Sequence, residues 1–213
     1  MRFTYDLALR AEFPQLAVAT LTKTDVTATP DVTPTAAPFL ERAASRLAEQ
    51  PVSDFPEIAA WRRAFSQMGL KPTQYRCASE ALLRRFAKEG GLPSIHPLVD
   101  LCNAVSLAYA IPIAVFDVAH VTGELIVTYA SGAETYESFG GAVEVPEPGE
   151  VIFRDDAGNA HARRWTNRQS ALSAIRPDTR NVLIVSEALH ATAASDLDAL
   201  RSELAEALVK HWS

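Results

Sequence analysis

An α+β fold follows from three features of the sequence. Apolar residues recur at helical spacing early and late in the chain, closely spaced β-rich runs lie between them, and strands and helices do not alternate regularly. The expected arrangement is helices packed on a mixed, largely antiparallel β core, and not a doubly wound parallel sheet. The length of 213 residues fits one large domain or two small ones, and no flexible linker interrupts it. A single domain over 1–213 is therefore expected. It would comprise strands and helices over 1–70, a central core over 71–187 and a C-terminal helix over 195–213. Hydrophobic residues make up 48% of the chain and charged residues 22%, which suits a packed core and excludes wholesale disorder.

Phe3, Tyr5, Leu7 and Leu9 alternate with polar or small residues, the pattern of a strand with one buried face. Leu16 to Leu21 reads as a second strand, and the Thr-, Ala- and Pro-rich run Thr24 to Pro38 as a loop. Phe39, Ala43 and Leu47 mark a short amphipathic helix that Pro51 ends. Asp54 with Glu57 three residues later predicts a capping box for a helix through Ile58, Trp61, Phe65 and Met68, which Gly69 stops. Ser79 to Lys88 is a further helix, with Glu80 placed four residues before Arg84 for an ion pair. Leu98, Leu101, Val105 and Tyr109 share one face of the next helix. Strands follow at Ile113–Val118 and Glu124–Tyr129. Glu150 to Gly158 is a strand entering a turn, and His161 to Trp165 is its hairpin partner. Asn181 to Ser186 is a last buried strand. Ser195 opens a helix with Leu197, Leu200, Leu204, Leu208 and Trp212 along one side.

A net charge of −6 argues against a general nucleic-acid coat protein. The clusters Arg62-Arg63, Arg84-Arg85 and Arg163-Arg164 with Arg168 leave a local basic face open. No apolar run approaches ~18 residues, so no membrane span is expected. The N-terminal residues lack a signal-peptide core. Cys77 and Cys102 form neither a disulfide framework nor a metal-binding spacing, and the histidines are scattered. The expectation is a cytoplasmic protein with no metal and no cofactor.

Asp100, Asn103 and Ser106 sit three apart and form a polar row on one helix. The strand after that helix ends in Asp117. A polar row facing a strand end can build a pocket, and the same pattern suits a solvated helix face followed by an edge strand.

The run His96-Pro-Leu-Val-Asp-Leu-Cys-Asn103 resembles a motif of the B3/B4 domain, the editing and tRNA-binding module of the phenylalanyl-tRNA synthetase β subunit. Pro112-Ile-Ala-Val-Phe-Asp117, Gly123-Glu-Leu-Ile-Val127 and Glu150-Val-Ile-Phe-Arg-Asp155 follow in the same order, so the resemblance spans roughly residues 70 to 187. Freestanding B3/B4 proteins are similar over almost the whole length, including Ser79–Arg85 and Arg163–Ser170.

The resemblance implies a B3/B4-like fold and hydrolysis of a mischarged aminoacyl-tRNA ester, with aminoacyl-tRNA as partner. It does not imply aminoacylation. Such chemistry needs a positioned water and donors for the developing oxyanion. Asn103 and Asp117 are the catalytic candidates. Glu80, Ser106, Asp155, Asp156, Arg164, Trp165, Arg168 and Gln169 are the substrate-binding candidates, with the arginines suited to carboxylate or phosphate and Trp165 to stacking on a base. Two departures stand out. Ala114 replaces a histidine of the family pattern, and the Arg/Trp/Gln stretch replaces a Gly-rich loop. They leave open a protein that keeps the pocket for a small molecule and has left tRNA.

Overall fold

Asp6 decides how the chain begins. Its carboxylate accepts a hydrogen bond from Ala8 N at 2.7 Å, so the expected strand stops at Tyr5 and a helix starts at Leu7. The alternation that suggested one strand through Leu9 is thus split between two elements. Leu9 is fully buried, while Leu7 is 85% exposed.

The computed structural model describes residues 1–212. In chain order the first elements are β1 (Phe3–Tyr5), α1 (Leu7–Glu12), β2 (Ala17–Lys23), α2 (Thr33–Glu49), α3 (Pro56–Gln67), α4 (Ala78–Glu89) and α5 (Pro97–Tyr109). Then come β3 (Ile113–Asp117), β4 (Leu125–Tyr129), β5 (Tyr136–Glu137), β6 (Val143–Glu144), β7 (Val151–Asp155), β8 (Ala160–Arg163), β9 (Arg168–Gln169), β10 (Val182–Ala188) and α6 (Ala193–His211). The fold class is α+β, with helices and mixed sheets as the sequence predicts.

The chain forms two compact units. One contains Met1–Pro14 and Phe116–Ala174, the other Gln15–Val115 and Ile175–Ser213. The first is built on a five-stranded sheet in the order β1-β4-β7-β8-β9, in which only β1 and β4 run parallel. The predicted hairpin is present as β7 and β8, and Phe3, Phe116 and Phe153 form its aromatic core. Gly123 is required here. Its φ is +67°, and a Cβ at this position would lie 2.0 Å from Asp156 Oδ2.

The second unit holds the sheet β2-β10-β3, with β2 and β10 antiparallel. Leu98, Leu101 and Val105 of α5 join Leu197, Leu200 and Leu204 of α6 in its core. Both cysteines are buried here, and desolvation pushes the Cys77 thiol up to about 11 and the Cys102 thiol up to about 12.

Three local expectations change. Residues Thr24 to Pro38 are not all loop: α2 begins at Thr33, whose N–H bonds to Asp31 Oδ1 at 2.9 Å. Pro38 lies inside that helix on an exposed face, where packing of α2 on α5 outweighs the lost backbone bond. Asp54 does not cap α3. It lies in a short 3-10 turn, Phe55 is the N-cap, and Pro56 fixes Phe55 in an extended conformation. Glu57 instead pairs with Arg46 at 2.7 Å. α6 starts two residues ahead of Ser195. Trp212 lies just past its end, buried, with its indole N–H donating to Thr27 O at 3.0 Å. Gly69 does end its helix, with φ +75° and Leu70 N bonded to Phe65 O at 2.8 Å.

Candidate functional site

The polar row on α5 separates into three roles, because steps of three residues rotate around a helix by roughly 60° each. Asp100 accepts from Ser94 Oγ at 2.6 Å and Ile95 N at 2.9 Å, which ties the preceding loop to the helix. Ser106 is buried and donates to Ile111 O at 2.6 Å, closing the turn after the helix. Asn103, between them, is half-buried and lines a cavity of about 230 Å³. Ala36, Ala37 and Leu40 of α2, with Leu92 and Pro93, form much of the wall, and Asp100 and Ser94 add polar edges. Among the described residues the Asn103 amide has no hydrogen-bond partner.

The start of α5 rests on His96, whose Nδ1 accepts from Leu98 N at 3.2 Å. Desolvation lowers its pKa, with Asp100 opposing, which suits an acceptor ring. Glu80, also in this unit, is fully buried. It accepts from Arg62 Nε at 3.2 Å and Arg84 Nε at 2.9 Å, with Arg76 Nε at 3.6 Å.

The remaining candidates lie in the other unit. Asp117 is buried and caps the turn after β3 through Ala119 N at 3.0 Å. Asp155 is buried under donors: the N–H groups of Thr122, Ala157 and Asn159 at 3.1, 3.0 and 2.8 Å, and Asn159 Nδ2 at 3.1 Å. Burial pushes its pKa up, but these donors outweigh it and hold the carboxyl below its ordinary value. Asp156 is exposed and accepts from Glu124 N at 3.0 Å. The two aspartates share a polar cavity of about 310 Å³ with Glu134 and Arg154.

Sequence reasoning missed what stands behind Asp155. His161 Nε2 lies 3.2 Å from its Oδ2, and His161 Nδ1 lies 2.8 Å from Ser173 Oγ. Serine, histidine and aspartate are therefore in line, yet Ser173 and His161 are 0% exposed and Asp155 is 1% exposed. In this geometry no ester reaches Ser173, and the line is a buried polar cluster in which His161 is bonded to Ser173.

Arg164, Trp165, Arg168 and Gln169 surround a second charge network. Arg163, 4% exposed, binds Glu150 through Nε and Nη2 at 2.9 and 2.8 Å and Glu144 at 2.7 Å. Arg168 grips Glu144 with both terminal nitrogens at 3.1 Å, and both arginines lie over the Tyr136 ring. Arg164 N donates to Glu150 Oε1 at 2.9 Å, and the Gln169 carbonyl accepts from Tyr136 Oη at 2.8 Å. Trp165 is 0% exposed and packs edge-on against Phe13 at 5.0 Å, so its ring serves the core and has no open face for a base. Glu144 and Glu150 lie 24 and 13 residues before the arginines they bind, beyond any helical spacing. Only the strand register could have revealed them.

Among the described residues, no group of three or more His, Cys, Asp or Glu side chains is placed to hold a metal ion. None of the described helices is long and apolar enough to cross a membrane.

The sequence profile of the B3/4 domain matches residues 60–208. The phenylalanine–tRNA ligase β subunit of Shewanella oneidensis is 29% identical over 102 residues, 47% of this chain and 13% of that protein. That of Cereibacter sphaeroides is 37% identical over 67 residues, 32% of this chain and 8% of that protein. The chain thus matches only a small part of these relatives. A crystal structure of an N-terminal fragment of the phenylalanyl-tRNA synthetase β subunit from Pyrococcus horikoshii has the same fold. Its TM-score is 0.51 at 11% identity, covering 99% of this chain and 48% of that one.

Proposed function

The chain belongs to the B3/4 domain family, and on that premise we propose that it hydrolyses mischarged aminoacyl-tRNA esters in trans, in the cytoplasm. The observation that carries this reading is the unpartnered amide of Asn103 on the wall of a cavity of about 230 Å³, within the family-matched span. The relatives' names, tRNA ligase β subunits, supply the substrate class.

A small apolar cavity with a few polar edges suits an amino-acid side chain. The Asn103 amide carries both donors and an acceptor. It can hold the attacking water and donate to the ester carbonyl oxygen as negative charge develops there. Water adds its oxygen to the carbonyl carbon, and the bond to the terminal ribose oxygen breaks. The water's protons end on the released ribose hydroxyl and the amino-acid product. No covalent nucleophile is required. Ala114 offers no proton acceptor, which leaves water orientation to Asn103 and backbone groups. Asp117 lies in the other unit, where it caps the turn after β3 through Ala119 N.

A second reading, a small-molecule pocket that has left tRNA, is favoured by Arg163 and Arg168, which are committed to Glu144 and Glu150. The two readings separate on a panel of mischarged aminoacyl-tRNAs. Editing predicts turnover of one or a few esters, reduced on the order of 10²-fold in Asn103→Ala, as for loss of one oxyanion donor. Stable esters across the whole panel would overturn the editing reading and leave the second.

A further inference from the structure

The hairpin of β5 and β6 carries apolar side chains that the fold leaves uncovered. Phe139 is 73% exposed, Val143 70% and Val145 54%. Large apolar side chains scattered singly on a surface are ordinary, but these three lie together between positions 139 and 145. The patch also has an open edge. Tyr136 pairs with Glu144, and Glu137 with Val143. Ser138 N donates to Ala142 O at 2.9 Å, so Ala142 and Glu144 are the bonded positions of β6 and the backbone groups of Val143 between them turn away from β5. Glu137, across the ladder from Val143, agrees: its carbonyl points away from β6 and accepts from Ala171 N and Ser170 Oγ, both at 2.9 Å. β5 is thus covered on its outer side while β6 is an edge strand, and among the described residues neither Val143 nor Val145 has a backbone bond beyond that ladder. Residues two apart on a strand share a face. Val143 and Val145 therefore stand with Glu137, and Glu144 stands on the other face, held by Arg163 and Arg168.

Charge decides what fits this edge. Ser131 to Glu150 holds five glutamates and no lysine or arginine. Glu134, Glu144 and Glu150 are engaged by Ser131, Arg168 and Arg163. Glu137 and Glu147 are exposed, and among the described residues they form no ion pair. A second copy of the chain would bring the same glutamates to the same edge, where like charges repel. We propose that the β6 edge takes a short extended segment of a basic partner protein by strand addition, with apolar residues beside Val143 and Val145 and lysine or arginine within reach of Glu137 and Glu147. Main-chain bonds to Val143 supply affinity, and alternate side chains select the segment. Pro146 has no N–H to donate and ends the edge, which keeps the added strand short. The surface is independent of the Asn103 cavity and of ester hydrolysis.

The probe is the capped peptide Lys-Val-Lys-Val-Lys, with Glu-Val-Glu-Val-Glu as its charge-reversed control. Binding to the whole chain is followed by NMR shifts and by hydrogen exchange of the Val143 amide. The lysine peptide is expected to bind and to slow that exchange, and the glutamate peptide to do neither. Val145→Lys keeps the Val143 backbone and should weaken binding about fivefold, the size of one lost cross-strand pair. Glu137→Lys combined with Glu147→Lys should reverse the preference between the two peptides. All three side chains are exposed, and a thermal melt confirms that each variant is folded. If Val145→Lys fails to fold, the charge-swapped protein still decides. Equal binding of the two peptides, unslowed exchange at Val143 or an unreversed preference in the charge-swapped protein would each overturn the proposal. A dimer in sedimentation velocity that Val145→Lys dissociates would also overturn it, because the face would then belong to a second copy.

Discussion

Arg163 and Arg168 in one unit face two carboxylates, Glu144 and Glu150. In the other unit, Arg62, Arg76 and Arg84 share one, Glu80. In the first cluster charge is balanced, Arg163 is 4% exposed, and the forks are spent on Glu150 and Glu144. In the second, the hydrogen bonds of Arg62 and Arg84 to Glu80 run from Nε. The same residue type is spent on two carboxylates and buried in one place, and shares one carboxylate while half-exposed in the other. Arginine pairs in a sequence do not reveal this, because the deciding carboxylates lie elsewhere in the chain.

The largest expected effect is at Glu150. Glu150→Gln leaves the buried Arg163 with a weakened partner set and should cost about 3–5 kcal/mol in denaturant unfolding, as removal of one member of a buried pair does. Glu80→Gln should cost about 1 kcal/mol, because its partially exposed arginines can turn to water. Equal costs at the two glutamates would break the comparison.

Both units should respond to mild acid, through His96 in one and His161 in the other. His161 has a lowered pKa, first from desolvation, with Asp155 partly opposing. Below its ordinary value of 6.5 the unfolded chain takes up a proton that the folded chain refuses. Stability should therefore fall as pH falls from 7 towards 5, at up to about 1.4 kcal/mol per pH unit for this single proton. His161→Gln should flatten that part of the curve. Asp155 has the opposite charge and acts lower. Its contribution is present above 3.8 and is lost as pH drops through its depressed folded value. An unchanged slope between pH 7 and 5 in His161→Gln would assign the acid response elsewhere.

The smallest effect sharpens the comparison most. Arg168 and Arg84 are 40% and 42% exposed, and each pairs with a glutamate. Arg168→Gln and Arg84→Gln should each change stability by no more than about 1 kcal/mol in denaturant unfolding. A clearly larger loss in either variant would show that its ion pair acts as a buried one.

Much of the fold was legible in the sequence. Helical spacing placed α4 and α5 within a residue or two, and the β7–β8 hairpin followed from alternation around a turn. What failed did so for local reasons. Asp6 converts a strand pattern into a helix start, and Pro56 moves a cap from Asp54 to Phe55. A proline-rich run became the first turns of α2 because α5 offers it a packing surface. The local geometry of a candidate was legible at Asn103, where spacing on one helix is enough to put it on a cavity wall. It was not legible at Trp165, Glu80 or Asp155, whose partners come from distant strands or neighbouring helices.

The central claim is that the Asn103 cavity performs ester hydrolysis while the arginine clusters do not. Single-turnover deacylation of one accepted mischarged aminoacyl-tRNA, at saturating protein, tests it most directly. The expected result is a rate on the order of 10²-fold lower in Asn103→Ala, with wild-type affinity for uncharged tRNA. Hydrolysis by Asn103→Ala at the wild-type rate would contradict it.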